Sequence, residues 1–488
     1  MRALTLPWTG SRILGILALG LVATAMAGSV LWATRALEGK WIIAMVAGLS
    51  VFWLAVASGR FERFLLVLML FIIPFNPDVY WHPIEAARGT PMLGISAMDL
   101  VLCCLYAAWI TRLLATRGSL ERLWPAGAGV LLGLIGWGAL SMINAEEPLL
   151  SVFLLVGLVK AFLLFFYLAN HVKTREDLWL AVCCLIAGLV AESLLAFAQS
   201  AAGSNLGLAA LGEKTEMKEI AMEGSKFFRV GGTLGHPNFL GGYLATVLPL
   251  ALALALVGGR KAVRLAAAGA FVLGGMALVL TLSRSAWLSA GVACVALLGW
   301  VAARRGRRIG PGPALIVILA MGLVGSSFAP LIMARWTGDD RGAAASRLPK
   351  IHAASAIIAD HPILGVGLNN YTTVKHLYDT RPVGGTRKGV SSIGGELPHN
   401  LFLLLGAEMG LMSLVLLTWF LWIVARRAWQ AITAADDDLV RAILLGITVA
   451  LFARLLVHDT VHTGHLSTND FFWVYSALLV ARRKPSNA

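Results

Sequence analysis

This sequence is short of charge. Only 14% of its 488 residues are Asp, Glu, Lys or Arg, against about 25% in a soluble domain, which excludes a soluble enzyme of this length. Cysteine is scarce as well. Cys103, Cys104, Cys183, Cys184 and Cys294 all fall inside apolar runs, where they behave as small apolar residues. They offer no disulfide framework, and their adjacent pairs lack metal-ligand spacing. No nucleotide-binding glycine motif is present, so nothing points to chemistry driven by ATP or GTP. Internal repeats of fixed period, which would favour a transporter, are also missing, as are low-complexity tracts. Acidic residues are the rarer sign, 26 against 40 basic, leaving a net charge of +14. Nucleic acid is not the implied partner, because the basic residues cluster in short connections between apolar runs.

What is there is apolar: 58% of the residues are hydrophobic and the mean hydropathy is +0.78. The runs are long enough to cross a bilayer as helices and too long for the strands of a β-barrel. They predict an all-α polytopic membrane protein of about 12–14 transmembrane helices. The candidate spans are 13–33, 41–59, 64–75, 96–115, 126–144, 150–170, 178–201, 238–257, 265–282, 285–303, 312–331, 399–423, 442–457 and 469–481. Ala25-Met26-Ala27 resembles a signal-peptidase site, but the apolar run continues past it, so the first helix is expected to stay uncleaved. With both termini inside, the inner segments hold most of the Lys and Arg, including Arg304, Arg305, Arg307 and Arg308. That excess fixes the orientation. It places Arg229, Arg284 and His399 outside.

Three regions follow: a bundle over 1–331, a polar insert over 332–398 and returning helices over 399–488. The insert must fold beyond the hydrocarbon, as a small helical cap on the outer surface. Leu348, Ile351, Ala354 and Ile358 share one helical face, starting beside Arg347. The helix should stop near Asp360-His361-Pro362. Gly365-Val366-Gly367 makes a turn, Asn369–Tyr378 a second short helix, and the glycine-rich stretch 384–395 a mobile loop.

Several residues bear chemistry. Arg229 leads Arg-Val-Gly-Gly-Thr-Leu-Gly-His-Pro-Asn238, where glycines allow close approach and a helix start favours anions. Arg284 ends Thr281-Leu-Ser-Arg284, a tight turn that holds a permanently charged guanidinium in the interface. Each also fits a snorkelling interfacial arginine. His399-Asn400 brings an imidazole to the surface, suited either to proton transfer or to capping. Within the spans, Lys160 and Glu192 are expected to pair, as are Arg454 and Glu408; the alternative for the first pair is an ion or substrate pathway. His458-Asp459, His462 and His465 form a weak metal pattern that reads better as a polar turn. Asp436-Asp437-Asp438 reads as a solvated inner loop.

Taken in order, Arg229 with Gly235-His-Pro-Asn238, Thr281-Leu-Ser-Arg284, Asp360-His-Pro-Ile-Leu-Gly-Val-Gly-Leu-Asn-Asn-Tyr371, and His399-Asn400 followed by Gly410 resemble the O-antigen ligase and Wzy-type polymerase superfamily. The resemblance covers roughly residues 225–425. Ser413 departs from it, standing where the ligase pattern has glycine, threonine or tyrosine. The resemblance implies an integral-membrane C-type glycosyltransferase fold with a periplasmic insert. It implies metal-independent, inverting transfer of a glycan from undecaprenyl pyrophosphate, without a cofactor. The acceptor would be lipid A-core for a ligase, or another lipid-linked repeat unit for a polymerase. His399 would be the base, and Arg229 and Arg284 would hold the pyrophosphate. Asn400, Asn238, Arg347 and Glu408 would support them. The implied setting is the bacterial inner membrane, with the site facing the periplasm. A membrane anion transporter is the reading from a different class.

Overall fold

The computed structural model describes residues 59–75, 78–80, 94–116, 124–214, 218–222, 225–303, 322, 326, 328–337, 347–378, 397–398, 400–460 and 466–481. The chain divides into two compact units, Met1–Phe64 and Leu65–Ala488. The expected spans 13–33 and 41–59 and most of 312–331 lie outside the described residues. So do the loop 384–395, His399, His462 and His465.

The protein is an all-α membrane protein. Its helices in chain order are α1 (Phe61–Phe71), α2 (Ala97–Thr116), α3 (Ala128–Ser141), α4 (Pro148–His171), α5 (Arg175–Ala202), α6 (Pro237–Val257) and α7 (Lys261–Leu280). They continue as α8 (Arg284–Ala303), α9 (Ala329–Thr337), α10 (Leu348–Asp360), α11 (Tyr371–Val374), α12 (Leu401–Ala434), α13 (Asp438–Ala453) and α14 (Asp470–Val480). Among the described residues, eight helices are long and apolar enough to cross a membrane. Two small antiparallel hairpins, not foreseen from the sequence, accompany them. One pairs β1 (Asp78–Tyr80) with β2 (Gly94–Ser96), the other β3 (Lys218–Met222) with β4 (Ser225–Arg229).

Helix boundaries follow local chemistry. α5 opens on a reciprocal capping box in which Thr174 and Asp177 serve each other's backbone N–H, a device that satisfies two otherwise orphaned donors. α6 carries apolar residues on every face and is buried almost throughout, as befits a central helix. Gly241 and Gly242 let it approach its neighbours: a Cβ at Gly241 would press on Ala286 and Ser283, one at Gly242 on the His458 ring.

α12 is longer than its expected span. Its 34 residues would measure about 50 Å if straight, against about 30 Å of hydrocarbon. Past Leu421 the run includes Arg426 and Arg427, good helix formers, so the helix does not end where hydropathy does. It breaks at Gly410 (φ 72°). The break strips carbonyls of their helical donors, and other segments supply replacements. Val366 N–H reaches Ala407 O at 2.9 Å and Gly367 N–H reaches Glu408 O at 3.0 Å. Trp137 Nε1 donates to Met409 O at 2.8 Å, and Leu411 N–H donates to Pro362 O at 2.8 Å. Ser413, the departure from the family pattern, donates its hydroxyl to Gly410 O at 2.6 Å and lies 3.1 Å from Leu405 O. Its oxygen closes the kink from the other side.

The insert is therefore more than a surface cap. Its stretch Pro362–Tyr371 is wedged between α12 and the α3–α4 connection, with Asn369 and Asn370 fully buried. Asn369 donates to Leu150 O at 2.8 Å, and Asn370 accepts the Glu147 N–H at 2.7 Å. α10 does end at Asp360. Its buried face, however, is Ala353, Ala354 and Ile357, while Leu348 and Ile351 are exposed. Of the expected face, Ala354 and Ile358 do pack against the core shared with α12, whereas its first half, Leu348 and Ile351, does not.

Candidate active site

Two expected ion pairs are corrected. Lys160 does not meet Glu192. Its ammonium lies 2.5 Å from Asp99, in the capping box that opens α2, and donates to Gly94 O at 2.8 Å. A long flexible stem lets a lysine reach away from the level of its Cα. Glu192 instead bonds the Thr233 hydroxyl and accepts the Thr233 N–H at 3.2 Å. The loop after β4 dips between helices to reach it. Likewise, Arg454 and Glu408 do not pair. Arg454 lies 3.5 Å from Asp459 and donates to Thr246 Oγ1 at 3.0 Å. Glu408 faces the insert and accepts the Tyr371 N–H at 3.4 Å.

The loop Val230–His236 is held tightly. Gly232 N–H donates to Gln199 Oε1 at 2.9 Å. Gly232 has φ 57°, and a Cβ there would collide with the Glu192 carboxylate, so both conformation and space require glycine. Glu213 gathers Gln199 Nε2 and the Leu206 and Leu208 N–H groups at 2.7, 2.8 and 2.7 Å. Two side chains of α5 and one acid of the loop thus fix the chain on either side of Arg229.

Arg229 closes the β3–β4 ladder opposite Lys218 and is buried. Its Nε donates to Thr281 O at 2.9 Å, and its Nη2 to Asn238 Oδ1 at 2.8 Å and Leu282 O at 3.4 Å. Asn238 is in turn set by α6, whose first turn is capped by His236: Asn238 N–H donates to His236 Nδ1 at 3.0 Å. The turn between α7 and α8 is strained. Leu282 adopts φ 52°, which costs a non-glycine residue about 1–2 kcal/mol. That conformation turns the Leu282 carbonyl toward a second guanidinium, whose Arg335 Nε donates to it at 3.2 Å. Arg229 and Arg335 thus share one acceptor, and Arg284 begins α8 two residues further on.

Cations crowd here. The Arg229 guanidinium is pushed down to about 10, by burial first and then by the charges of Arg335 and Arg284. It remains ionised at neutral pH. Its hydrogen-bond acceptors are two backbone carbonyls and one amide oxygen. A buried guanidinium oriented by neutral groups beside two like charges gains from any anion that enters.

The sequence reading missed Arg335. It stands in Met-Ala-Arg-Trp-Thr at the start of the insert, in no recurring string, and its link to Arg229 runs through the shared Leu282 carbonyl and through charge. Asn400 N-caps α12 by accepting the Leu403 N–H at 3.0 Å. Arg347 precedes α10. His399 lies outside the described residues, between Pro398 and Asn400. Among the described residues, no group of three or more His, Cys, Asp or Glu side chains has the geometry to hold a metal.

No curated protein matches this chain. Residues 269–418 match the family model for O-antigen ligase. The matched segment contains Arg284, Arg335, Asp360–Tyr371 and His399-Asn400. Arg229 and Asn238 precede it in sequence and join it only in the fold. The match covers less than half of the chain; over that segment the protein is similar to the O-antigen ligase family, which supports the superfamily resemblance and a membrane glycosyltransferase-like enzyme in general.

Proposed function

We propose that this protein transfers a glycan from undecaprenyl pyrophosphate to a sugar hydroxyl at the periplasmic face of the inner membrane, with inversion and without a metal ion. The acceptor we assign is lipid A-core. The observation that carries the reading is the convergence of Arg229 and Arg335 on the Leu282 carbonyl, two residues before Arg284, whose charge also bears on Arg229.

In the reaction, the acceptor oxygen attacks the anomeric carbon from the face opposite the pyrophosphate. The carbon–oxygen bond to phosphate breaks, and its electron pair leaves on the pyrophosphate. His399 takes the acceptor proton, a role that typically contributes about 10²–10⁴-fold. The donor is already activated, so the main requirement is to stabilise charge developing on the bridging oxygen. Guanidinium groups fixed before the reaction do this without reorganising. Asn238 aims Arg229, and Asn400 opens the helix that follows His399. The polyprenyl tail stays in lipid while the insert 332–398 covers the sugar.

The test is transfer from undecaprenyl-pyrophosphate-linked glycan by the full-length protein in detergent or nanodiscs. His399→Ala should abolish turnover. Arg229→Lys and Arg284→Lys should raise the donor KM by about 10–100-fold, since lysine cannot reproduce the fork geometry. Chelation should leave turnover intact. Wild-type kinetics in all three variants would overturn the reading. Offering lipid A-core and lipid-linked repeat units side by side separates ligase from polymerase, and preference for the second would replace the acceptor assigned here.

A further inference from the structure

One turn of π-helix, Arg454–His458, with its capping residue Asp459, touches α6, α8 and the start of α12. Its closing bond runs from Asp459 N–H to Arg454 O at 2.9 Å. The His458 ring is buried, with Nδ1 3.2 Å from Ser285 Oγ. Ser285 is the residue after Arg284, in the first turn of α8. On the other side the same ring rests on the α6 backbone, where a Cβ at Gly242 would overlap it. α6 is the helix whose Asn238 holds Arg229. The next residue, Asp459, accepts the Leu401 N–H on its backbone oxygen at 3.0 Å. Leu401 is the first residue of α12, directly after His399-Asn400.

The turn is itself fastened. Arg454 lies 3.5 Å from Asp459 and donates to Thr246 on α6 at 3.0 Å. The Asp459 carboxylate also accepts Asn469 Nδ2 at 2.9 Å. A π turn is a costly irregularity that recurs at functional sites. In a regular α-helix, His458 and the Asp459 carbonyl would be turned away from these partners.

We propose that this π turn is the device that sets the position of the base relative to the arginines, with His458 as a positioning residue. The inference rests on the reading that Arg229, Arg284 and His399 act together. Ser285 and Gly242 register the donor side of the site against the His458 ring. The Asp459 carbonyl registers the acceptor side through the start of α12. Displacing the ring shifts α12 against α8. Donor binding, made by the arginines, survives such a shift, whereas the in-line approach of the acceptor does not.

The experiment uses the full-length protein, with hydrogen exchange at the Leu401 amide and steady-state kinetics on the same samples. Gly242→Ala pushes the ring while keeping every polar group; His458→Ala removes it. Exchange at Leu401 should rise about tenfold through local opening, with the Leu439 amide at the far end of the bundle unchanged. kcat should fall about 100-fold, the loss expected of a misplacement near 1 Å, with donor KM within about threefold. His458→Asn, whose amide can reach Ser285, should recover most of the kcat. If His458→Ala does not fold, Gly242→Ala and Ser285→Ala carry the test.

Unchanged Leu401 exchange in folded Gly242→Ala overturns the proposal. So does faster exchange with normal turnover, or a loss in kcat, KM and thermal stability together without rescue by asparagine. Wild-type donor use by Arg229→Lys and Arg284→Lys would instead sink the functional reading, whatever Leu401 does.

Discussion

Arg335 separates what a string of residues can tell from what a fold can. Arg229 and Arg284 each sit in a glycine- or serine-flanked string that invites attention. Arg335 sits in none, yet it shares the Leu282 carbonyl with Arg229 and bears on its charge. Removing it leaves Arg229 its own three acceptors but takes away one of the crowded cations. Arg335→Ala should therefore raise the donor KM about tenfold, the value of one charge-assisted hydrogen bond, with kcat less affected. Donor titrations at fixed acceptor would show it, and an unchanged KM would remove Arg335 from the site. Lys160 gives the opposite lesson. Its partner is Asp99, 2.5 Å away, with 32% and 16% of the two side chains exposed. Mid-span position in the sequence suggested Glu192, because residue counting cannot see how far a lysine stem reaches. A double-mutant cycle on Lys160→Met and Asp99→Asn should give less than about 1 kcal/mol of coupling, as partly exposed pairs do, and no loss of glycan transfer.

At the scale of elements, span boundaries were legible. Expected spans 150–170, 178–201, 238–257 and 285–303 match α4, α5, α6 and α8 to within a few residues, because helix length, apolar run and bilayer thickness constrain one another. The break in α12 was not legible. Gly410 within an apolar run is an ordinary occurrence, and only the replacement donors from Val366 and Gly367 show it to be a kink. The string Asp360–Tyr371, which carries much of the family resemblance, proves to be the clip that fills this break. Gly365 at φ 65° would place a Cβ against the Ala407 and Glu408 backbone. Gly365→Ala should destabilise the protein by at least about 2 kcal/mol, from the left-handed conformation and the clash together. Gly259→Ala, where no atom lies within 4 Å of the added carbon, is the control. Equal thermal stability of the two variants in detergent would show that the clip bears no load.

For the whole molecule, the contacts sort the helix ends into two groups. Gln199 near the end of α5 meets the loop before α6, Arg229 meets the end of α7, and Ser285 at the start of α8 meets His458 beyond α13. Leu401 at the start of α12 joins them through Asp459. The other group holds the starts of α5 and α13, linked by the Arg175–Asp437 ion pair, and the ends of α6 and α12 with Arg260, Lys261, Arg426 and Arg427. Basic residues gather at this second end, and the positive-inside rule assigns it to the cytoplasm. The proposed reaction requires this orientation, with the arginine cluster on the periplasmic side where a lipid-linked glycan would arrive. Exposed residues at each end allow a direct check. In a background lacking the five native cysteines, Ser204→Cys at the site end should react with a membrane-impermeant maleimide in intact cells. Asp436→Cys should react only after the inner membrane is opened. The reverse pattern would turn the site toward the cytoplasm, where a transferase acting on an outward-facing lipid-linked donor has no substrate, and the proposed reaction would fall with the orientation.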